Sequence, residues 1–141
     1  MITIYGQCPS KSNSYRIGYK GLYKTDKLKK YEKDFLLQLP KAKSTIEGEF
    51  EIIILVYYDS RRPDIDNSLK VILDCLQKES YIPKGKYEIK NERYIRNDNK
   101  CVNIDITKRL DKKNPRIMFW IKEDEYSEVT YKHYKDYFKK N

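Results

Sequence analysis

Halfway along the chain the hydrophobic period changes, and that change limits the folds open to it. From Phe50 to Tyr58 apolar residues occupy both parities. Phe50, Ile52, Ile54, Val56 and Tyr58 fall on one side, and Ile53, Leu55 and Tyr57 on the other. A strand apolar on both faces is expected to be central and covered on both sides. A basic turn, Arg61-Arg62-Pro63, follows. The spacing then switches: Leu69, Ile72, Leu73 and Leu76 stand at i, i+3, i+4 and i+7, predicting a helix from Asp66 to about Lys78.

The flanking segments fit an α/β chain. Residues 2–5 read as a short strand, Cys8 to Arg16 as a polar turn, and 15–24 as a hairpin or extended loop. Leu28, Tyr31, Phe35 and Leu39 share one helical face, with Thr25 as cap and Pro40 as stop. The opposite face carries Lys29, Lys30 and Lys33, which reads first as solvated and second as phosphate-facing. Cys101 to Thr107 alternates, with Val102, Ile104 and Ile106 expected inward, as in a half-exposed strand. Ile117 to Ile121 is a further strand and holds the single tryptophan, Trp120. Tyr131, Tyr134 and Phe138 predict a terminal helix over 131–140. The expectation is one compact domain over 1–141, a mixed β-sheet flanked by helices.

Charge narrows the partners. Lys and Arg number 30 against 21 Asp and Glu, a formal net charge of +9. Such a balance suits a polyanion, because lysines and arginines facing phosphates release condensed counterions. Three cysteines, Cys8, Cys75 and Cys101, contain no CxxC and support neither a zinc site nor a disulfide framework. The lone histidine, His133, excludes chemistry built on several histidines and reads as an exposed helix residue. With no signal peptide and no long apolar span, an intracellular protein away from membranes is expected.

The turn and helix start also carry the densest chemistry. Asp64 and Asp66 lie two residues apart at the end of the apolar strand, and Lys70 and Asp74 follow Asp66 at successive helical turns. Hard divalent cations such as Mg²⁺ take one or two carboxylates together with substrate phosphates. The plainer reading makes Asp66 an N-cap and Lys70 the partner of Asp66 or Asp74. The order of strand, basic turn, paired acids and buried helix favours a site, since α/β folds place sites at strand ends. A further acid is needed downstream, with Glu79, Glu88, Glu92 and Asp98 as candidates.

The run RRPDIDNSLKVILDCL, Arg61 to Leu76, resembles the signature of the RusA family of Holliday junction resolvases. The pattern D-x-D-N-x-x-K, with another Asp four residues on, is met by Asp64, Asp66, Asn67, Lys70 and Asp74. The segment CPSKSNSYR, which includes Asn13, is similar to the family's Pro-Ser-x-Asn stretch. The family's third metal acid lies in an Asp-Asp-x-x-hydrophobic stretch after the helix. Asn91-Glu92-Arg93-Tyr94-Ile95 is taken as its match, with Glu92 in place of aspartate and Glu88 as substitute.

The resemblance implies a RusA-like, homodimeric endodeoxyribonuclease that nicks four-way DNA junctions in recombination and repair. It implies Mg²⁺, or Mn²⁺ in its place, held by Asp64, Asp66 and Glu92, and no small-molecule cofactor. Lys70 would neutralise developing charge, Asp74 would orient Lys70, and Asn67 would fix a ligand or reach the backbone. A twofold dimer supplies two nicking sites, and the apolar arc of the 67–78 helix reads as mostly buried in the chain's own core or buried in part against a second subunit, which makes it one candidate interface. Candidate DNA contacts are Lys11, Asn13, Arg16, Lys20, Lys24, Arg61 and Arg62. Some of the 14 tyrosines could stack on unpaired bases. Competing readings are a metal nuclease for other branched or single-stranded nucleic acid, a nonenzymatic DNA binder, and a protein-interaction module. The family is often carried by bacteria, phages and prophages.

Overall fold

A computed structural model describes residues 1–10 and 14–123. The expected 131–140 helix, His133, Lys11 and Asn13 lie outside the described residues.

Among the described residues eight strands and two α-helices follow the chain: β1 (Ile2–Tyr5), β2 (Tyr15–Gly18), β3 (Gly21–Lys24), α1 (Asp26–Gln38), β4 (Phe50–Tyr58), α2 (Ile65–Leu76), β5 (Ser80–Lys84), β6 (Tyr87–Asn91), β7 (Cys101–Leu110) and β8 (Arg116–Glu123). A mixed four-stranded sheet runs β1-β8-β4-β7, with β4 and β7 parallel and the other pairs antiparallel. Strands β2 and β3 form one separate hairpin, and β5 and β6 another.

Both helices lie against one face of this sheet. Ile52, Ile54, Val56 and Tyr58 of β4, Ile117 and Phe119 of β8 and Ile4 of β1 are buried there in one cluster. Helix α1 adds Leu28, Tyr31 and Phe35, and α2 adds Val71, Ile72, Leu73, Cys75 and Leu76. The Phe35 and Phe119 rings stack, their centroids 6.3 Å apart. Truncating a fully buried member such as Ile72 to alanine is expected to cost about 2–5 kcal/mol. Thr25 caps α1 as expected, its hydroxyl accepting from the Leu28 amide at 3.2 Å.

Four expectations are corrected. Strand β4 is not covered on both sides: Ile53 is exposed, and Leu55 and Tyr57 are only half buried. Together with Met118 and Trp120 they form the outer face of the sheet. Val102 and Ile104 are exposed because β7 is an edge strand and slips register by a bulge between Phe50 and Glu51 of β4. The apolar arc of α2 is used up in the chain's own core, which bears out the buried-helix reading and removes the arc as a candidate interface. That helix begins at Ile65 with Asp64, not Asp66, as its N-cap, and ends at Leu76.

Candidate active site

The crossover β4-α2-β7 places the site. Parallel β4 and β7 end side by side, and the chain leaves β4 through Asp59–Pro63 to enter α2. The carboxyl ends of adjacent parallel strands are where open α/β sheets bind ligands. Pro63 helps stop the chain from continuing as strand, and Asp64 takes an extended backbone, φ −83° and ψ 138°. Although Asp64 sits at the N-cap, its carboxylate makes no capping bond. Asp66 lies in the first turn, where the positive end of the helix favours an anion. Both acids are exposed, and neither has an ion-pair partner among the described residues.

A buried hydrogen-bond network fixes this corner. The Tyr58 hydroxyl, at the end of β4, meets the Ser68 hydroxyl on the first turns of α2 and reaches the Asp64 carbonyl at 3.5 Å. Burial pushes the Tyr58 phenol up, so it stays protonated and able to donate. The Cys8 thiol, pushed up to about 11 by burial, packs against the Ser68 carbonyl at 4.0 Å. The N-terminal segment is therefore held against α2.

Lys108, on β7, was not singled out from sequence. Its ammonium donates to the carbonyls of Arg61 and Pro63, at 2.7 and 2.6 Å, and lies 5.8 Å from the Tyr58 ring centroid. It clamps the loop that delivers Asp64. A lysine one position beyond the alternating run was the only signal, and its partners lie more than forty residues away.

Lys70 stands one turn beyond Asp66 and joins two carboxylates. Its ammonium is 3.2 Å from Asp74 and hydrogen-bonds to Asp98. The Asp98 hydrogen bond, foremost, pushes Lys70 up from its ordinary value, and the same bond draws Asp98 down. The Asp98 amide donates to the Gln77 side chain, which pins the segment just before β7 beside α2. Asp74 therefore partners Lys70, as the i, i+4 reading had it.

Glu92 is not brought to these groups. It lies 3.3 Å from Lys90, at the root of the β5–β6 hairpin, and Tyr94 and Ile95 donate to the Leu76 carbonyl at the far end of α2. Twelve helical residues separate that end from Asp64, about 18 Å at 1.5 Å per residue. Glu88 sits opposite Pro83 within the hairpin, and Glu79 pairs with Lys90. The carboxylate that returns toward the site is Asp98. Asn97-Asp98-Asn99-Lys100-Cys101 also answers an acid followed three residues later by the start of a strand.

Of the basic residues, Arg61 and Arg62 are exposed on the site loop, Arg16 on β2 and Lys20 in the β2–β3 turn. Lys24 is engaged with buried Glu32, which Lys78 also reaches, so it locks β3 to both helices. A cleft of about 420 Å³ opens beside Asp64, lined by Gln7, Pro9, Lys27, Arg62 and Asn67. Among the described residues no three His, Cys, Asp or Glu side chains converge on one point. Asp64 and Asp66 still fit a Mg²⁺ ion, which keeps several waters and takes substrate phosphate oxygens beside one or two carboxylates.

A mixed α/β fold with paired free carboxylates at the ends of parallel strands, a lysine one turn on and basic side chains around them has the makings of a nucleic-acid phosphodiesterase. The family model for endodeoxyribonuclease RusA matches residues 7–122, and the chain belongs to that family. Membership implies an endonuclease that resolves Holliday junctions. No curated protein matches the chain. No helix among the described residues is long and apolar enough to cross a membrane.

Proposed function

We propose that the chain is a Mg²⁺-dependent, structure-selective endodeoxyribonuclease that resolves four-way DNA junctions by paired symmetric nicks, in recombination and repair. The observation that carries this is the pair of unpartnered carboxylates, Asp64 and Asp66, at the carboxyl ends of two parallel strands within a RusA-family chain. These two acids would hold the ion, Mg²⁺ or Mn²⁺. When bound, the ion supplies an activated water and charge stabilisation for the leaving oxygen.

The chain's own groups do the rest. Lys70, charged through the neutral range, offsets negative charge on the phosphate under attack. Asp74 and Asp98 hold its ammonium in place. Asp98, rather than Glu92, is the downstream acid that serves the site, through its bond to Lys70. Asn67, lining the cleft, supplies amide hydrogen bonds to the strand being cut. Arg61, Arg62, Arg16 and Lys20 meet phosphates, with affinity that falls as salt rises.

Two symmetric nicks call for a homodimer. With the α2 arc consumed in the core, the surface available to a second copy is the outer sheet face around Ile53 and Trp120. The family's bacterial and phage setting would place the chain in a bacterial cytoplasm.

The variants Asp64→Asn and Asp66→Asn are expected to abolish cutting while four-way junction binding stays intact or tightens. Cutting at the wild-type rate by either variant contradicts the assignment. A second reading, a nonenzymatic branched-DNA binder, draws on the lack of a converged three-acid group among the described residues. It requires junction binding indifferent to Mg²⁺ and no product.

A further inference from the structure

The β5–β6 hairpin stands between α2 and Asp98 and is not used by the site described above. It belongs to neither the central sheet nor the main core cluster. At its root Asn91 is buried and Ser80, Ile82 and Ile89 are partly covered, while every residue from Pro83 to Glu88 is exposed. Gly85, at φ +63°, makes the tight turn that brings Lys84 opposite Tyr87. At the tip Lys84 and Lys86 are exposed and have no ion pair among the described residues. Lys90, nearer the root, is neutralised by Glu79 and Glu92. Tyr87 is 80% exposed and Tyr81 60%. The face with Lys84 and Tyr87 carries no acid, since Glu88 lies on the other face opposite Pro83.

Unpaired lysines beside exposed tyrosines on a projecting hairpin match the sugar–phosphate backbone. Lysine supplies charge, and the phenol donates to phosphate oxygens. We propose that this hairpin is a backbone-gripping arm, which holds a duplex arm of the substrate away from the cut. This deepens the nuclease reading and rests on it. The offset follows from α2: its acid end and the end from which the hairpin departs are separated by about 18 Å. The arm therefore sets how much duplex beyond the crossover the protein needs, and it acts on binding rather than on bond cleavage.

The test is junction affinity across a salt series in EDTA, where nothing is cut, for the full chain and for a Lys84→Ala/Lys86→Ala/Tyr87→Phe variant. A Lys29→Ala/Lys33→Ala variant, with exposed lysines on α1, is the charge-matched control. The hairpin variant is expected to bind about tenfold more weakly at physiological salt. Its slope of log affinity against log salt should be shallower by about two, one per lost phosphate contact. The control should shift less, and the hairpin variant should lose phosphate-ethylation interference on a duplex arm away from the nick. Wild-type junction binding with an unchanged hairpin variant overturns the arm and leaves the nuclease intact. An equal loss in the control overturns it too, by reducing the effect to net charge. Failure of the wild type to bind junctions overturns both.

Discussion

Exchanging Asp98 for asparagine separates the site seen in the structure from the one expected on sequence pattern. The change keeps the shape, removes the charge facing Lys70, and leaves the amide bond to Gln77 in place. Its effect on folding is small. Lys70 is about half exposed, with a side-chain accessibility of 51% against 25% for Asp98, so solvent screens the pair. Partly exposed ion pairs of this kind contribute about 1 kcal/mol or less. The effect on cutting is larger, because the lost carboxylate holds the Lys70 ammonium in place. Losing one preorganised electrostatic contributor typically costs about 10²–10³ in rate. Glu92→Gln, at the hairpin root and paired with Lys90, should cut at nearly the wild-type rate. Single-turnover cleavage of a labelled four-way junction, with thermal melting in parallel, measures both effects. Rates that fall with Glu92→Gln and survive Asp98→Asn would refute the reasoning.

Further outcomes follow from the same geometry. Lys108→Met should leave junction binding unchanged yet lower cutting about 10–100-fold and raise the Mg²⁺ needed for half-maximal rate, with partial recovery in Lys108→Arg. A Mg²⁺ titration that matches wild type contradicts the clamp. For pH, Lys70 is raised, so its pairing with Asp98 is fully present below the usual 10.5 and fades only above it. Asp98 is lowered, so its contribution is present above the usual 3.8 and fades as acid reaches its depressed value. The rate should therefore show no limb from this pair between pH 5 and 9, within a window those two values set. A limb in that window that disappears in Lys70→Arg contradicts this. Trp120→Lys should turn a dimer into a monomer by light scattering without unfolding it, since Trp120 lies on the outer sheet face. An unchanged dimer moves the interface elsewhere.

The strand–turn–helix around the paired acids was legible because its signals are local. Apolar parity marks β4, and Asp66, Lys70 and Asp74 recur at helical spacing. Covering and closure were not legible. Whether Ile53 or Ile104 is buried depends on what lies over the sheet, and that is decided by where α1 and α2 pack. Where the downstream acids fall was not legible for a related reason. A hairpin added after α2 lengthens the path back to the site, and Asn91–Ile95 ends on an isoleucine where Asn97–Cys101 ends on a cysteine. Local pattern favoured the former, and the hydrogen bond from Lys70 favours Asp98. The Lys108 clamp depends on two strands meeting in parallel, which no local spacing encodes.

Cleavage of a labelled, mobile four-way DNA junction, with and without Mg²⁺ and with Asp66→Asn alongside, tests the central claim most directly. The account predicts paired nicks at symmetric positions that require both the metal and Asp66. Tight junction binding with no nicks at any Mg²⁺ concentration, or nicks that persist in Asp66→Asn, would contradict it.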